Sequence, residues 1–181
     1  MNRDTVVFST CSFLLGLVIG SLLVGPKLAR VSGGQPPPAV PVPQSPMDAV
    51  RQQITSLNEA IARDPRNFDA LVQLGTMYMD AAKFPQAIGY LERALAVRED
   101  PNLRIDLGIC YKQNGQLDKA LEAFRKAKAE APGQWQPIYN EAVVLGEMRR
   151  FDEARALLPA LRKLRPGDGD VQRLEQALNQ R

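Results

Sequence analysis

Side chains able to do covalent or acid–base chemistry are few in this sequence. There is no histidine among the 181 residues, which removes the commonest general base and the commonest transition-metal ligand. The two cysteines, Cys11 and Cys110, stand far apart and form no CxxC pair, so no disulfide framework, zinc site or haem attachment is expected. Cys110 falls in a helical pattern, where a thiol is expected to serve as a small core residue. No GxSxG elbow or phosphate-binding loop is present, and the carboxylates recur at spacings typical of solvated helix faces. Nothing here sets a nucleophile beside a base. An enzyme is therefore not expected, and neither a cofactor nor a metal is implied. What remains is the chemistry of recognition.

The elements that would position such a surface are periodic. Leu107-Gly108-Ile109-Cys110-Tyr111 is followed by Ala120, Phe124, Ala127 and Pro132. The same pattern stands earlier as Leu74, Gly75, Tyr78, Ala87, Leu91 and Ala94. It stands later as Glu141, Ala142, Leu145, Ala154, Leu158, Leu161 and Pro166. Gly75 and Gly108 are 33 residues apart, and Gly108 and Ala142 are 34 apart. A fixed period of this size marks an array in which each unit buries its apolar face against its neighbours.

The pattern resembles the tetratricopeptide repeat, a helix–turn–helix unit of about 34 residues. The small residue where the two helices of a unit cross falls at Gly75, Gly108 and Ala142. The second small residue falls at Ala87, Ala120 and Ala154, and the closing proline at Pro132 and Pro166. The first unit is one residue short and has Glu99 where proline is expected. The third has Glu141 where leucine is usual, so its first helix is the weakest match. The resemblance implies an all-α right-handed superhelical solenoid over 47–181. Full repeats are expected at about 68–100, 101–134 and 135–168, with an N-terminal half-repeat and a capping helix at about 169–180.

Local signals agree with this. Ser45-Pro46-Met47-Asp48 predicts a capped helix start, with Ile54, Leu57 and Ile61 following at helical spacing up to Asp64-Pro65. Helices are expected over Phe68–Ala81 and Phe84–Arg98. Asp100-Pro101 opens the next pair, Gly115 ends its first helix in a left-handed conformation, and Leu117–Ala129 is its second. Gln136-Pro137 opens the third unit, Pro159 is expected to bend its second helix near Arg155, and Asp170–Asn179 completes the chain.

In this family the first helix of each unit lines a concave groove that binds a peptide or a partner helix. Carried over in register, the groove takes Asp69, Val72, Gln73, Thr76, Met79 and Asp80 from the first unit. The second contributes Asn102, Ile105, Asp106, Ile109, Lys112 and Gln113. The third contributes Gln136, Tyr139, Asn140, Val143, Gly146 and Glu147. Four acids against Lys112 make this surface about −3 on a chain whose net charge is +3, which favours basic, partly apolar segments. The Lys/Asn/Arg clamp by which some relatives grip a carboxyl-terminal carboxylate is absent. Its positions hold Val72, Thr76, Asp106, Gln136 and Asn140, and Asp106 repels a carboxylate. Trp135 and Tyr139 are expected to pack against the preceding repeat rather than to anchor a partner. No Lys/Arg cluster favours nucleic acid.

Ahead of the array, residues 1–30 read as a transmembrane anchor and its flanks. Thr5–Gly25 is a run of 21 residues without a charge, which as a helix spans roughly 31 Å, about the bilayer hydrocarbon thickness. Ser12, Gly16 and Gly20 form a small-xxx-small face that offers homodimerisation as one use. Residues 31–46 are Pro/Gly-rich, expected as an extended spacer of about 3.1 Å per residue. The charge balance around the apolar run is nearly even. The reading is a single-pass protein of a bacterial inner membrane with the repeat domain exported to the periplasm, a cytoplasmic domain being the alternative. Three roles fit. One is a membrane-tethered scaffold binding a partner segment in the groove. The second is an assembly factor of the cytochrome c maturation type holding an unfolded client, by analogy only. The third is a structural or oligomerisation subunit of a membrane complex.

Overall fold

A computed structural model of the chain describes residues 45–180. The expected anchor, the Ser12/Gly16/Gly20 face and nearly all of the spacer lie outside the described residues. Eight helices follow in order: α1 Pro46–Arg63, α2 Phe68–Asp80, α3 Phe84–Val97, α4 Pro101–Gln113, α5 Leu117–Glu130, α6 Gln136–Glu147, α7 Phe151–Leu164 and α8 Gly169–Asn179. The described residues contain no strand, and none of their helices is long and apolar enough to cross a membrane.

Six of the eight helices start at a capping side chain or a first-turn proline; α5 and α7 have neither. The Ser45 side chain accepts the Asp48 amide, Asn67 that of Ala70, Asp100 those of Asn102 and Leu103, and Asp168 those of Asp170 and Val171. These bonds satisfy amides that have no partner inside the helix. Prolines occupy the first turn of α1, α3, α4 and α6, where the missing amide costs nothing.

Within each unit the two helices are joined by the same tight turn. Lys83, Gln116 and Arg150 donate their amides back to Tyr78, Tyr111 and Leu145 at 2.8, 2.9 and 2.8 Å. One residue of each turn takes the left-handed conformation: Ala82 (φ 54°), Gly115 (φ 74°) and Arg149 (φ 62°). Glycine was expected only at Gly115. Ala82 and Arg149 hold the same geometry at a cost of order 1–2 kcal/mol, because the packed helices on either side dictate it.

Adjacent helices pair in sequence from α1 to α8, and first helices also touch across units, α4 on α6 and α6 on α8. The crossings need small residues. A Cβ on Gly75 would stand 2.5 Å from Leu91 Cδ2, and one on Gly108 2.6 Å from Phe124 Cε1. Ala142, fully buried, fills this place in the third unit. α7 continues through Pro159, which is exposed. The Arg155 carbonyl, four residues back, loses its helical donor there.

The core is apolar with two exceptions, Arg104 (7% exposed) and Glu141 (3%). Arg104 Nε donates to Glu130 at 3.0 Å, and its guanidinium also pairs with Glu99, the residue standing in for the first unit's closing proline. Glu141 accepts from Arg125 Nε at 2.8 Å and from Lys128. The apparent mismatch of the third unit is thus a buried carboxylate with two cations from α5.

Candidate functional site

The repeat spacing arranges the expected groove residues in six rows, each taking one side chain from α2, one from α4 and one from α6. The rows are Asp69/Asn102/Gln136, Val72/Ile105/Tyr139, Gln73/Asp106/Asn140, Thr76/Ile109/Val143, Met79/Lys112/Gly146 and Asp80/Gln113/Glu147. Asp69, Gln73, Asp80, Asn102, Gln113, Gln136 and Glu147 are exposed. Val72, Thr76, Met79, Asp106, Ile109, Lys112, Tyr139, Asn140, Val143 and Gly146 are half-buried.

Ile105 departs from the expectation. It is 8% exposed and belongs to the core cluster, so it is not part of the groove surface. The position lies on the shoulder of the helix, and an isoleucine there gains more from leaving water than from facing it.

Several polar groups are engaged locally. Thr76 Oγ1 donates to the Val72 carbonyl at 3.0 Å, and Asn140 Nδ2 to the Gln136 carbonyl at 3.0 Å. Asn102 Oδ1 accepts from Gln134 at 3.1 Å, linking the second and third units. Lys112 Nζ lies 3.9 Å from Glu147, so the one groove cation is spent on the third unit's acid. Asp69, Asp80 and Asp106 keep no counter-ion among the described residues. The Asp106 carboxyl is held above its ordinary value of 3.8, first by burial, then by the negative charges of Asp100 and Asp80. The free groove is therefore most acidic in its first two units, and there a partly desolvated carboxylate faces like charge.

Cys110, next to this row, is fully buried. Burial pushes its thiol up to about 11, with Asp106 adding to the effect, so the thiolate needed for nucleophilic or ligand chemistry is suppressed. Among the described residues no group of His, Cys, Asp and Glu is placed to hold a metal.

Trp135 and Tyr139 make an edge-to-face pair with centroids 5.9 Å apart, and the Arg165 guanidinium lies 4.4 Å above the Trp135 ring. The sequence expects packing on the preceding repeat; these contacts are within the same unit. The first unit repeats the device, with Arg98 3.6 Å over Phe68. Trp135 is thus one half of a cation–π staple that ties the start of a unit to its end. Sequence reasoning missed it, although Phe68/Arg98 and Trp135/Arg165 stand in the same register.

The comparisons with known proteins agree with this architecture. Two family models, each described as tetratricopeptide repeat, match residues 72–134 and 111–178, together more than half of the chain. The BBSome complex member BBS4 of Bos taurus is 28% identical over 116 residues, covering 64% of this chain and 22% of that protein. A SPINDLY-type probable N-acetylglucosaminyltransferase of Hordeum vulgare is 29% identical over 115 residues, 12% of its length. The chain thus spans about a fifth or less of the curated relatives it matches. Among solved structures, MamA superposes with a TM-score of 0.65 at 20% identity, covering 77% of this chain and 84% of that one. The first repeat domain of Spaghetti (RPAP3), bound to the HSP90 peptide SRMEEVD, superposes with a TM-score of 0.60 at 15% identity, covering 65% and 94%. At these identities the structural likeness speaks for the fold.

Proposed function

This chain belongs to the tetratricopeptide repeat family, and from that premise we propose a non-catalytic binding module whose groove takes a basic, partly apolar segment of another protein. The observation that carries the reading is Asp106, half-buried, without a counter-ion and crowded by Asp100 and Asp80. A Lys or Arg from a partner would relieve that repulsion and gain a charge-assisted hydrogen bond. Ile109 and Val143 continue the same face as apolar contacts.

The charge class matters. The tail bound by Spaghetti ends Glu-Glu-Val-Asp, and a segment of that kind would meet Asp106 with repulsion. Peptide binding followed by fluorescence anisotropy separates the cases. A Lys/Arg-containing peptide should bind and its Glu-substituted counterpart should not. Asp106→Asn should weaken the basic peptide by about three- to tenfold. A preference for the acidic peptide ends the proposal.

The pH dependence has a definite sign. Asp106 must be ionised to attract a cation, and its pKa in the free chain lies above 3.8. Affinity for the basic peptide should therefore be full near neutrality. It should begin to fall, as pH is lowered, earlier than for an ordinary aspartate, with a proton released on binding. In the absence of ligand the same raised value acts in the opposite direction: ionising Asp106 costs the fold stability, and that cost disappears as pH falls through its pKa.

We further propose that residues 1–30 tether the module to a membrane and that the repeat domain is exported. The support is the uncharged Thr5–Gly25 run followed by a proline-rich spacer. Protease treatment of spheroplasts tests the topology. Digestion of the repeat domain without lysis supports export, and protection until lysis overturns it.

A further inference from the structure

The groove wall is incomplete at one place. In the row Met79/Lys112/Gly146 the first two units carry a long side chain and the third carries none. Beside Gly146 opens a cleft of about 570 Å³, lined among others by Val143, Glu147, Phe151, Leu174 and Leu178. That volume is in the range of ligand pockets.

The cleft is built from two sources. Val143 and Glu147 are groove positions on α6, and Leu174, Ala177 and Leu178 come from α8. The capping helix thus does more than cover the end of the array: it lends the groove an apolar wall. Glycine keeps the mouth open. A Cβ at Gly146 would stand 3.3 Å from Leu178 Cδ2, so a methionine there, as in the first unit, would run across the leucine. At the rim Glu147 is paired with Lys112, while Arg149 is exposed and makes no ion pair among the described residues.

We infer that this cleft is a subsite for one bulky apolar side chain of the segment held in the groove, which makes the partner bipartite: a Lys or Arg opposite Asp106, and a Trp, Phe, Leu or Met about five residues away. The inference rests on the groove reading above. The spacing follows from geometry. Asp106 is on α4, and the cleft lies between α6 and α8. Packed helices are about 8–10 Å apart, which puts the two points roughly 12–15 Å apart across the helices; the six residues from Asn140, in the Asp106 row, to Gly146 add about 9 Å along them, for a separation of roughly 15–17 Å. An extended chain covers that in about five residues at about 3.3 Å each. Charge complementarity fixes one end of the segment and apolar burial the other.

The test uses the full chain and two synthetic peptides that share a Lys-Arg pair and differ at one position five residues on, Trp in one and Ala in the other. Anisotropy titrations should find the Trp peptide bound at least about tenfold more tightly. Gly146→Met should abolish that advantage, so that the variant binds the Trp and Ala peptides with equal affinity. Ala177→Met, which also fills the cleft but at an exposed position, should do the same, and circular dichroism melting checks that both variants fold. Equal binding of the two peptides to the native chain overturns the subsite and leaves the groove reading standing. So does an advantage that survives both filled variants. Binding of neither peptide overturns both readings together.

Discussion

The first and third units place opposite chemistry at one geometrical position. In the first, Leu74 is fully buried beneath α1 and α3. In the third, the equivalent residue is Glu141, 3% exposed, held by Arg125 and Lys128. The cations' counterparts around Leu74 are Asn58 and Ile61, by the repeat spacing. The second unit keeps Leu107 at this position but has Arg104, paired with Glu99 and Glu130, where the first has Leu71. A repeat fold thus admits a buried charge where a neighbouring segment supplies its partner: α5 of the preceding unit for Glu141, and for Arg104 Glu99 ahead of α4 together with Glu130 at the end of α5. The type of Glu141 says little until Arg125 and Lys128, 16 and 13 positions earlier, are read with it. Apolar packing tolerates many neighbours, whereas a buried ion pair accepts only its own. The charged seams therefore distinguish one unit interface from another in a way the leucine seam does not.

The sharpest way to break the comparison is to move the carboxylate without its partners. Leu74→Glu places a charge among apolar groups with no cation opposite, and the loss should exceed about 4 kcal/mol. Urea unfolding followed by circular dichroism measures it. Mild destabilisation would mean that the first seam is open to water and that the two positions are not equivalent.

Next in size is Glu141→Ala, which strands two cations and leaves a void. Breaking a buried pair from one side costs about 3–5 kcal/mol. The lower end is expected, because Arg125 and Lys128 side chains are 45% and 33% exposed and can turn to solvent. Since each unit is stabilised mainly by its neighbours, amide exchange should rise in α5–α7 more than in α2–α3. Glu141→Leu, which restores the family's usual residue, should instead fall within about 1.5 kcal/mol of the native chain or above it. A large loss in the leucine variant would show that the seam needs its charges and cannot be rebuilt from apolar packing.

The sequence made the helices and their order legible because most boundaries have a local cause, α5 and α7 excepted at their starts. Ser45, Asp100, Gly115 and the first-turn prolines act within three or four residues, and the period fixes which helices pair. Register alone puts sixteen of the seventeen side chains expected in the groove at least partly on the surface, and Ile105 is buried. Burial of Ile105 depends on the shoulder of a helix meeting its neighbours, which register does not contain. The ionic seams, the Arg98/Phe68 and Arg165/Trp135 staples and the cleft at Gly146 all join residues far apart in sequence, the staples within one unit and the Glu141 seam between two. Such relations depend on residues in different helices meeting in space, and in the Met79/Lys112/Gly146 row the sequence shows a missing side chain but not the α8 wall beside it. The left-handed Ala82 and Arg149 were invisible, because only glycine signals that conformation in a sequence.

The smallest expected effect sharpens the comparison by a different means, ionic strength. Salt shortens the screening length from about 10 Å at 0.1 M to about 3 Å at 1 M, but screens buried pairs much less than exposed ones. Raising sodium chloride over that range also strengthens apolar burial, so the native chain alone cannot isolate the Glu141 cluster. The difference between native and Glu141→Leu can, because both share every other interaction. That difference in unfolding free energy should change by less than about 0.5 kcal/mol, since the carboxylate is buried and only the cations' outer faces meet solvent. A change above about 1 kcal/mol would mean that water and ions reach Glu141. The third seam would then be a surface salt bridge folded inward, and its likeness to the sealed Leu74 position would fail.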